Sequence, residues 1–155
     1  MQTLKRSLSV VAALAFYVLA VSQLFAGESG CVESVCREVT ELKDTVWKLV
    51  DLNGTPVTKA PEQRREARIT LAGEGARLSA FGGCNLLAGD YVQDGHALRF
   101  TQMAGTMMAC EPPLMDLEVR FLKMLGDTTN FRIEGQQLIL LGGDQLLARF
   151  AAVYE

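Results

Sequence analysis

Short runs in which every second residue is apolar, glycine-bearing turns too brief for crossover connections, and one amphipathic stretch behind a Pro-Pro pair predict an α+β fold. The expected architecture is about eight short antiparallel strands forming a curled or half-barrel sheet, with one amphipathic helix packed on it. At 155 residues, 49% hydrophobic and 21% charged, the chain suits one core and leaves no room for a two-domain enzyme.

Residues 1–26 read as a signal peptide. They contain no acidic residue, Lys5 and Arg6 precede an apolar run from Leu8 to Leu19, and Leu24-Phe25-Ala26 supplies a cleavage site after Ala26. The expected product is periplasmic or secreted. The alternatives are a lipoprotein anchored through Cys31, where Glu28 stands in the place that wants leucine, and retention of Leu8–Ala26 as a membrane anchor. Cleavage would leave 13 basic residues against 18 acidic ones, a mildly acidic domain with both signs interspersed. That distribution argues against nucleic acid as a partner. Residues 27–43 lack a clear period and read as a flexible lead-in.

The folded unit is expected to begin at Asp44, with a first strand at Val46–Val50. Ala67–Leu71 and Ala76–Ala80 alternate cleanly and flank Gly73-Glu74-Gly75, a hairpin. Tyr91-Val92 and Leu98–Phe100 flank a turn at Gln93–His96, which puts His96 on the surface. Phe131–Ile133, Leu138–Leu140 and Leu146–Phe150 form a closing meander, and Thr55–Arg65 is the one long polar loop. The helix starts at Pro112-Pro113 and stops at Gly126. Leu114, Leu117, Phe121, Met124 and Leu125 make its apolar face, and Asp116 and Arg120, on the solvated side, are spaced to pair.

Cys31, Cys36, Cys84 and Cys110 form an even set, and export would permit disulfides. Three pairings exist in principle. The two cysteines of the weakly patterned lead-in and the two inside the patterned domain favour 31 with 36 and 84 with 110. A redox pair or zinc site is disfavoured, because no C-x-x-C occurs and the single histidine lies elsewhere. No cofactor or metal is expected.

One residue breaks the helical pattern. At about 100° per residue, Glu118 projects between Leu114, Phe121 and Leu125, so its carboxylate is expected to be buried and to need donors. Backbone amides of the loop Gly82-Gly83-Cys84-Asn85, or an arginine such as Arg77, would supply them. The alternative is a catalytic or ligand-binding carboxylate, which no second acid, nucleophile or metal ligand supports in the sequence.

Trp47-Lys48-Leu49 with Leu52-Asn53-Gly54, Gly83-Cys84-Asn85 with Gly89-Asp90-Tyr91, Thr106-Met107-Met108-Ala109-Cys110, and Glu118 followed by Phe121-Leu122 and Leu125 together resemble the META domain, or HslJ-like, family of exported bacterial proteins. The resemblance spans residues 44–152. It implies a small mixed fold of antiparallel strands and a helix, and association with stress, envelope maintenance, antibiotic tolerance or secretion, without catalysis. Cys84, Asn85, Thr106, Cys110 and Glu118 occupy signature positions, with Trp47, Gly83, Gly89, Tyr91 and Phe121 in the other matching pieces. A cystine from 84 to 110 over an inward Glu118 would make this signature a fold-locking junction. The leading expectation is a non-enzymatic cell-envelope protein that binds a lipid, a peptide or a secretion component, with Met103, Met107, Met108 and Met115 as an adaptable apolar supply or as core filler. The rivals are a purely structural or inhibitory interaction module and an enzyme using Glu118 with Asn85 or Thr106.

Overall fold

The structure is a computed structural model and describes residues 40–61 and 63–154. Among these, β1 (Val46–Leu52), β2 (Thr55–Pro56), β3 (Arg68–Leu71), β4 (Arg77–Phe81), β5 (Leu86–Asp94) and β6 (Ala97–Gly105) precede helix α1 (Pro112–Asp127). Strands β7 (Asn130–Glu134), β8 (Gln137–Gly142) and β9 (Gln145–Val153) follow it. One antiparallel sheet runs in the order β2-β1-β3-β4-β5-β6-β7-β8-β9. It curls until β9 pairs back onto β1, from Val46↔Val153 to Leu52↔Ala148. The β6–β7 joint is the narrowest: one register pair, Ala97↔Asn130, flanked by hydrogen bonds from Leu98 N–H to Thr129 O and from Phe131 N–H to His96 O, each 2.9 Å.

The inward residues of this curl and the apolar face of α1 share one core. Trp47, Ile69, Leu71, Leu98, Leu138, Leu140 and Phe150 from the strands meet Phe121, Met124 and Leu125 from the helix. Phe121 stands edge-on to Phe150, with ring centroids 6.5 Å apart. A bulge between Leu49 and Asp51 shifts the phase of β1, so that Trp47, Leu49 and Leu52 all turn inward. The Trp47 indole N–H donates to Leu42 O at 2.9 Å. Among the described residues no helix is long and apolar enough to cross a membrane.

The expected elements are present, with four corrections. The polar loop begins with a ninth strand, β2, turned back at Asn53-Gly54, both residues at positive φ. Strands β5 and β6 are longer than the apolar alternation indicated. The inward positions of β5 are Leu87, Gly89 and Tyr91, and the central glycine hides the period. In β6 two residues, Gln102 and Met103, stand opposite Gly89 at a bulge, and Gln102 adopts φ 53°. A Cβ at Gly89 would lie 2.5 Å from Met103 Sδ and 2.8 Å from Thr101 O, so only glycine fits there.

The other two corrections concern the helix and the lead-in. Helix α1 passes through Gly126 and ends at Asp127, with Thr128 extended and its hydroxyl donating to Met124 O at 2.8 Å. Asp116 and Arg120 meet through the Asp116 carbonyl, 3.4 Å from Arg120 Nε, whereas Lys123 and Asp127 form a 2.8 Å ion pair. Thr40–Lys43, expected in the lead-in, are tied to the sheet: Leu42 is buried, Lys43 bridges to Leu71, and the Thr40 and Tyr154 hydroxyls lie 2.8 Å apart.

Three outcomes follow for stability. Gly89→Ala should cost about 1–3 kcal/mol by overpacking, while Gly126→Ala, whose new Cβ meets nothing within 4 Å, should add up to about 1 kcal/mol; urea denaturation measures both. Tyr91 donates its hydroxyl to Ala72 O at 2.6 Å. Burial, and after it the Asp44 carboxylate, hold this phenol above its ordinary range. Folding therefore favours the neutral form. The contribution is intact below about pH 10 and is lost as pH rises through the folded-state value. The urea midpoint of the native protein should fall more steeply above pH 10 than that of Tyr91→Phe.

Candidate functional site

Helix α1 enters the core with Glu118 on its inner face, and the β4–β5 loop lies directly against it. Gly83 makes this approach possible: it sits at φ 125°, and a Cβ there would be 3.2 Å from Leu117 Cδ2. The next residues turn their polar groups to the helix. Asn85 N–H donates to Glu118 Oε2 at 2.5 Å, and Asn85 Nδ2 donates to Glu118 Oε1 at 2.8 Å. Glu118 is 8% exposed and Asn85 3%. A buried carboxylate without partners would cost several kcal/mol; here each oxygen receives an N–H. The donors are a backbone amide and a side-chain amide of one residue. Arg77 is engaged elsewhere, in an ion pair with Asp90 at 2.8 Å.

Asn85 has no bonding capacity left. Its Oδ1 accepts from Thr106 Oγ1 at 2.7 Å and from Met108 N–H at 2.8 Å, while Nδ2 also reaches Met108 O at 3.3 Å. Thr106 Oγ1 in turn accepts from Leu86 N–H at 3.2 Å. The segment leaving β6 is thus held to the β4–β5 loop by Asn85 and, two residues past Met108, by the Cys84–Cys110 disulfide, with Cα atoms 5.9 Å apart. Cys31 and Cys36 lie outside the described residues.

The signature positions separate into two groups. Cys84, Cys110, Gly83, Asn85, Thr106 and Glu118 converge on one clasp. Trp47, Gly89, Tyr91 and Phe121 lie away from it: Trp47 and Phe121 anchor the core, Gly89 answers the β6 bulge, and Tyr91 ties β5 to the end of β3. His96 is on the surface, with its ring 6.0 Å from that of Phe131. Of the methionines weighed as an apolar supply, Met103 packs against the core, while Met107, Met108 and Met115 are exposed.

Two features beside the clasp were not legible beforehand. Met108 contributes through its backbone, which no side-chain pattern reports. Gln63, in the polar loop, is 3% exposed; its Oε1 accepts from Ala60 N–H at 3.2 Å, and its Nε2 has no hydrogen-bond partner among the described residues.

Glu118→Gln places a donor where both oxygens accept and should cost about 1–3 kcal/mol. Asn85→Asp sets two carboxylates together and should cost more. The double variant restores a donor facing an acceptor across the pair, so in a denaturation cycle it should be at least about 1 kcal/mol more stable than the sum of the single changes predicts. Opening the disulfide with Cys84→Ser and Cys110→Ser should remove about 3–4 kcal/mol on the loop-entropy account, at a sequence separation of 26.

The fold has solved counterparts. A protein from Burkholderia xenovorans, determined by NMR, matches with TM-score 0.59 and 26% identity over 74% of this chain and 85% of its own. A second protein determined by NMR matches with TM-score 0.55 and 25% identity over 69% of this chain and 88% of its own. No curated protein matches the chain. The META domain model matches residues 40–154, so the chain belongs to the META domain family.

Proposed function

We propose that this protein is a non-catalytic, exported component of the cell envelope that binds an apolar segment of an envelope or secretion partner and serves in stress tolerance. The observation that carries the reading is Met107. This residue is 99% exposed, yet the backbone after it is pinned, by Met108 N–H to Asn85 and by the cystine at Cys110 beyond. Met108, Met115 and Val119 are exposed as well, the last two one turn apart on α1. Apolar side chains displayed on a fixed frame are the mark of a recognition surface rather than of loose chain.

The clasp itself supports a structural role. Both oxygens of Glu118, the whole amide of Asn85 and the Thr106 hydroxyl are engaged with one another or with backbone, so the polar groups an enzyme reading would recruit are already committed. Export, with cleavage near Ala26 and residence in the periplasm or outside the cell, is supported by the Cys84–Cys110 disulfide, a bond that oxidising compartments preserve. The alternative within this reading is lipid anchoring through Cys31.

A photo-reactive residue replacing Met107 should cross-link to one specific envelope partner in living cells. The same residue at exposed Val92 should not. Equal labelling from both positions would remove the recognition surface. Intact mass of the protein recovered from the envelope, before and after reduction, checks cleavage, acyl chains and disulfides together: it should start at Gly27 and carry no acyl group.

A further inference from the structure

Two small hollows lie beside the clasp and share Gln63 and Leu114 in their linings. One, of about 180 Å³, lies toward Phe81 and Met108, with Arg64 on its wall. The other, of about 220 Å³, lies between Val57 and Leu117, with Arg120 on its wall. Each is smaller than the roughly 300–1,000 Å³ that whole small-molecule ligands occupy. Each is suited to a single apolar side chain. Gln63, common to both, carries the one buried side-chain nitrogen that lacks a hydrogen-bond partner among the described residues, Nε2. A buried amide donor without an acceptor is costly, and native proteins keep few of them.

We propose that this pair of hollows is a binding cleft for an extended peptide: two apolar side chains, two residues apart, enter the hollows, and a backbone carbonyl between them accepts the Gln63 Nε2 proton. In an extended chain, side chains two apart point to the same face, which matches two neighbouring hollows. Ala60 N–H holds Oε1, which leaves Nε2 as the end of the amide with donors to offer an occupant. The donor is neutral, which suits a carbonyl, and the guanidinium groups of Arg64 and Arg120 favour acidic residues flanking the apolar pair. A lipid chain would want one long continuous cavity. The cleft shares Met108 with the recognition surface proposed above and rests on that reading, giving it a partner class.

The test is an NMR titration of the full chain, disulfides intact, with a blocked pentapeptide Glu-Leu-Ser-Leu-Glu. The side-chain amide signal of Gln63, identified by its loss in Gln63→Met, should move on titration together with the methyl signals of Leu114 and Met108. Gln63→Met should bind the peptide about tenfold more weakly, while its urea midpoint stays close to that of the native protein, because the loss of the Ala60 N–H bond to Oε1 is offset by removal of a donor that has no partner in the free state. Unchanged affinity in Gln63→Met overturns the carbonyl contact. A peptide that shifts only Met107 and Val119 overturns the cleft and leaves the wider recognition surface standing. A peptide that shifts nothing also overturns the cleft; the Met107 cross-link then decides the wider reading separately. If vesicles of phosphatidylethanolamine and phosphatidylglycerol move the Gln63 signal and the peptide does not, the occupant is lipid and the peptide proposal fails.

Discussion

A carboxylate on the inner face of α1 dictates much of what surrounds it. Glu118 can be buried only where donors meet it, and Asn85 supplies two from a single residue. That commitment turns the Asn85 carbonyl toward Thr106 and Met108, which fixes how the chain leaves β6 and brings Cys110 to Cys84. The net contribution of such a network to stability is modest, since desolvation of the acid offsets much of what its hydrogen bonds return. Its effect is selective. A helix rolled by one residue, or a loop displaced by one, would strand a charge in the core, so the network discriminates sharply against neighbouring arrangements.

The methionines show how the same side chain is sorted by backbone geometry. Met124 falls on the helical stripe with Phe121 and is buried; Met115 is a quarter-turn away from Leu114 and is exposed. Met103 reaches the core because the β6 bulge breaks the alternation of its strand, and Met107 projects into solvent because its neighbours are held by their backbone atoms. Composition could count these residues as an apolar supply. Only the bulge and the clasp decide which of them face outward.

What could be read from the chain was whatever has a local period. The inward position of Glu118 follows from its angle on the wheel, the start of α1 from Pro112-Pro113, and most strands from alternation. The first half of β5 was hidden because its central inward position is Gly89, and the end of β6 because Thr101, Gln102 and Gly105 carry no period across a bulge. Gly126 looked like a helix stop, yet the helix runs on through it to Asp127, and Thr128 closes it through its hydroxyl. Of the clasp, the convergence of Cys84, Cys110, Asn85 and Glu118 was legible by resemblance. The central position of the Asn85 amide was not, because it depends on the Met108 backbone, twenty-three residues distant. Gln63 gave no signal at all, being one polar residue among others in a polar loop.

The pairing of β9 with β1 joins residues about as far apart in the chain as the described region allows. Closure therefore waits for the last strand, and contacts of such long sequence separation form slowly. For a polypeptide proposed to cross a membrane, this timing is useful. Until its final strand is available the sheet cannot close on itself, and an unclosed sheet is more readily kept unfolded for passage than a closed one. Loss of the last strand, in turn, would bare two long unpaired edges at once, on β1 and on β8, and invite strand-to-strand association between molecules.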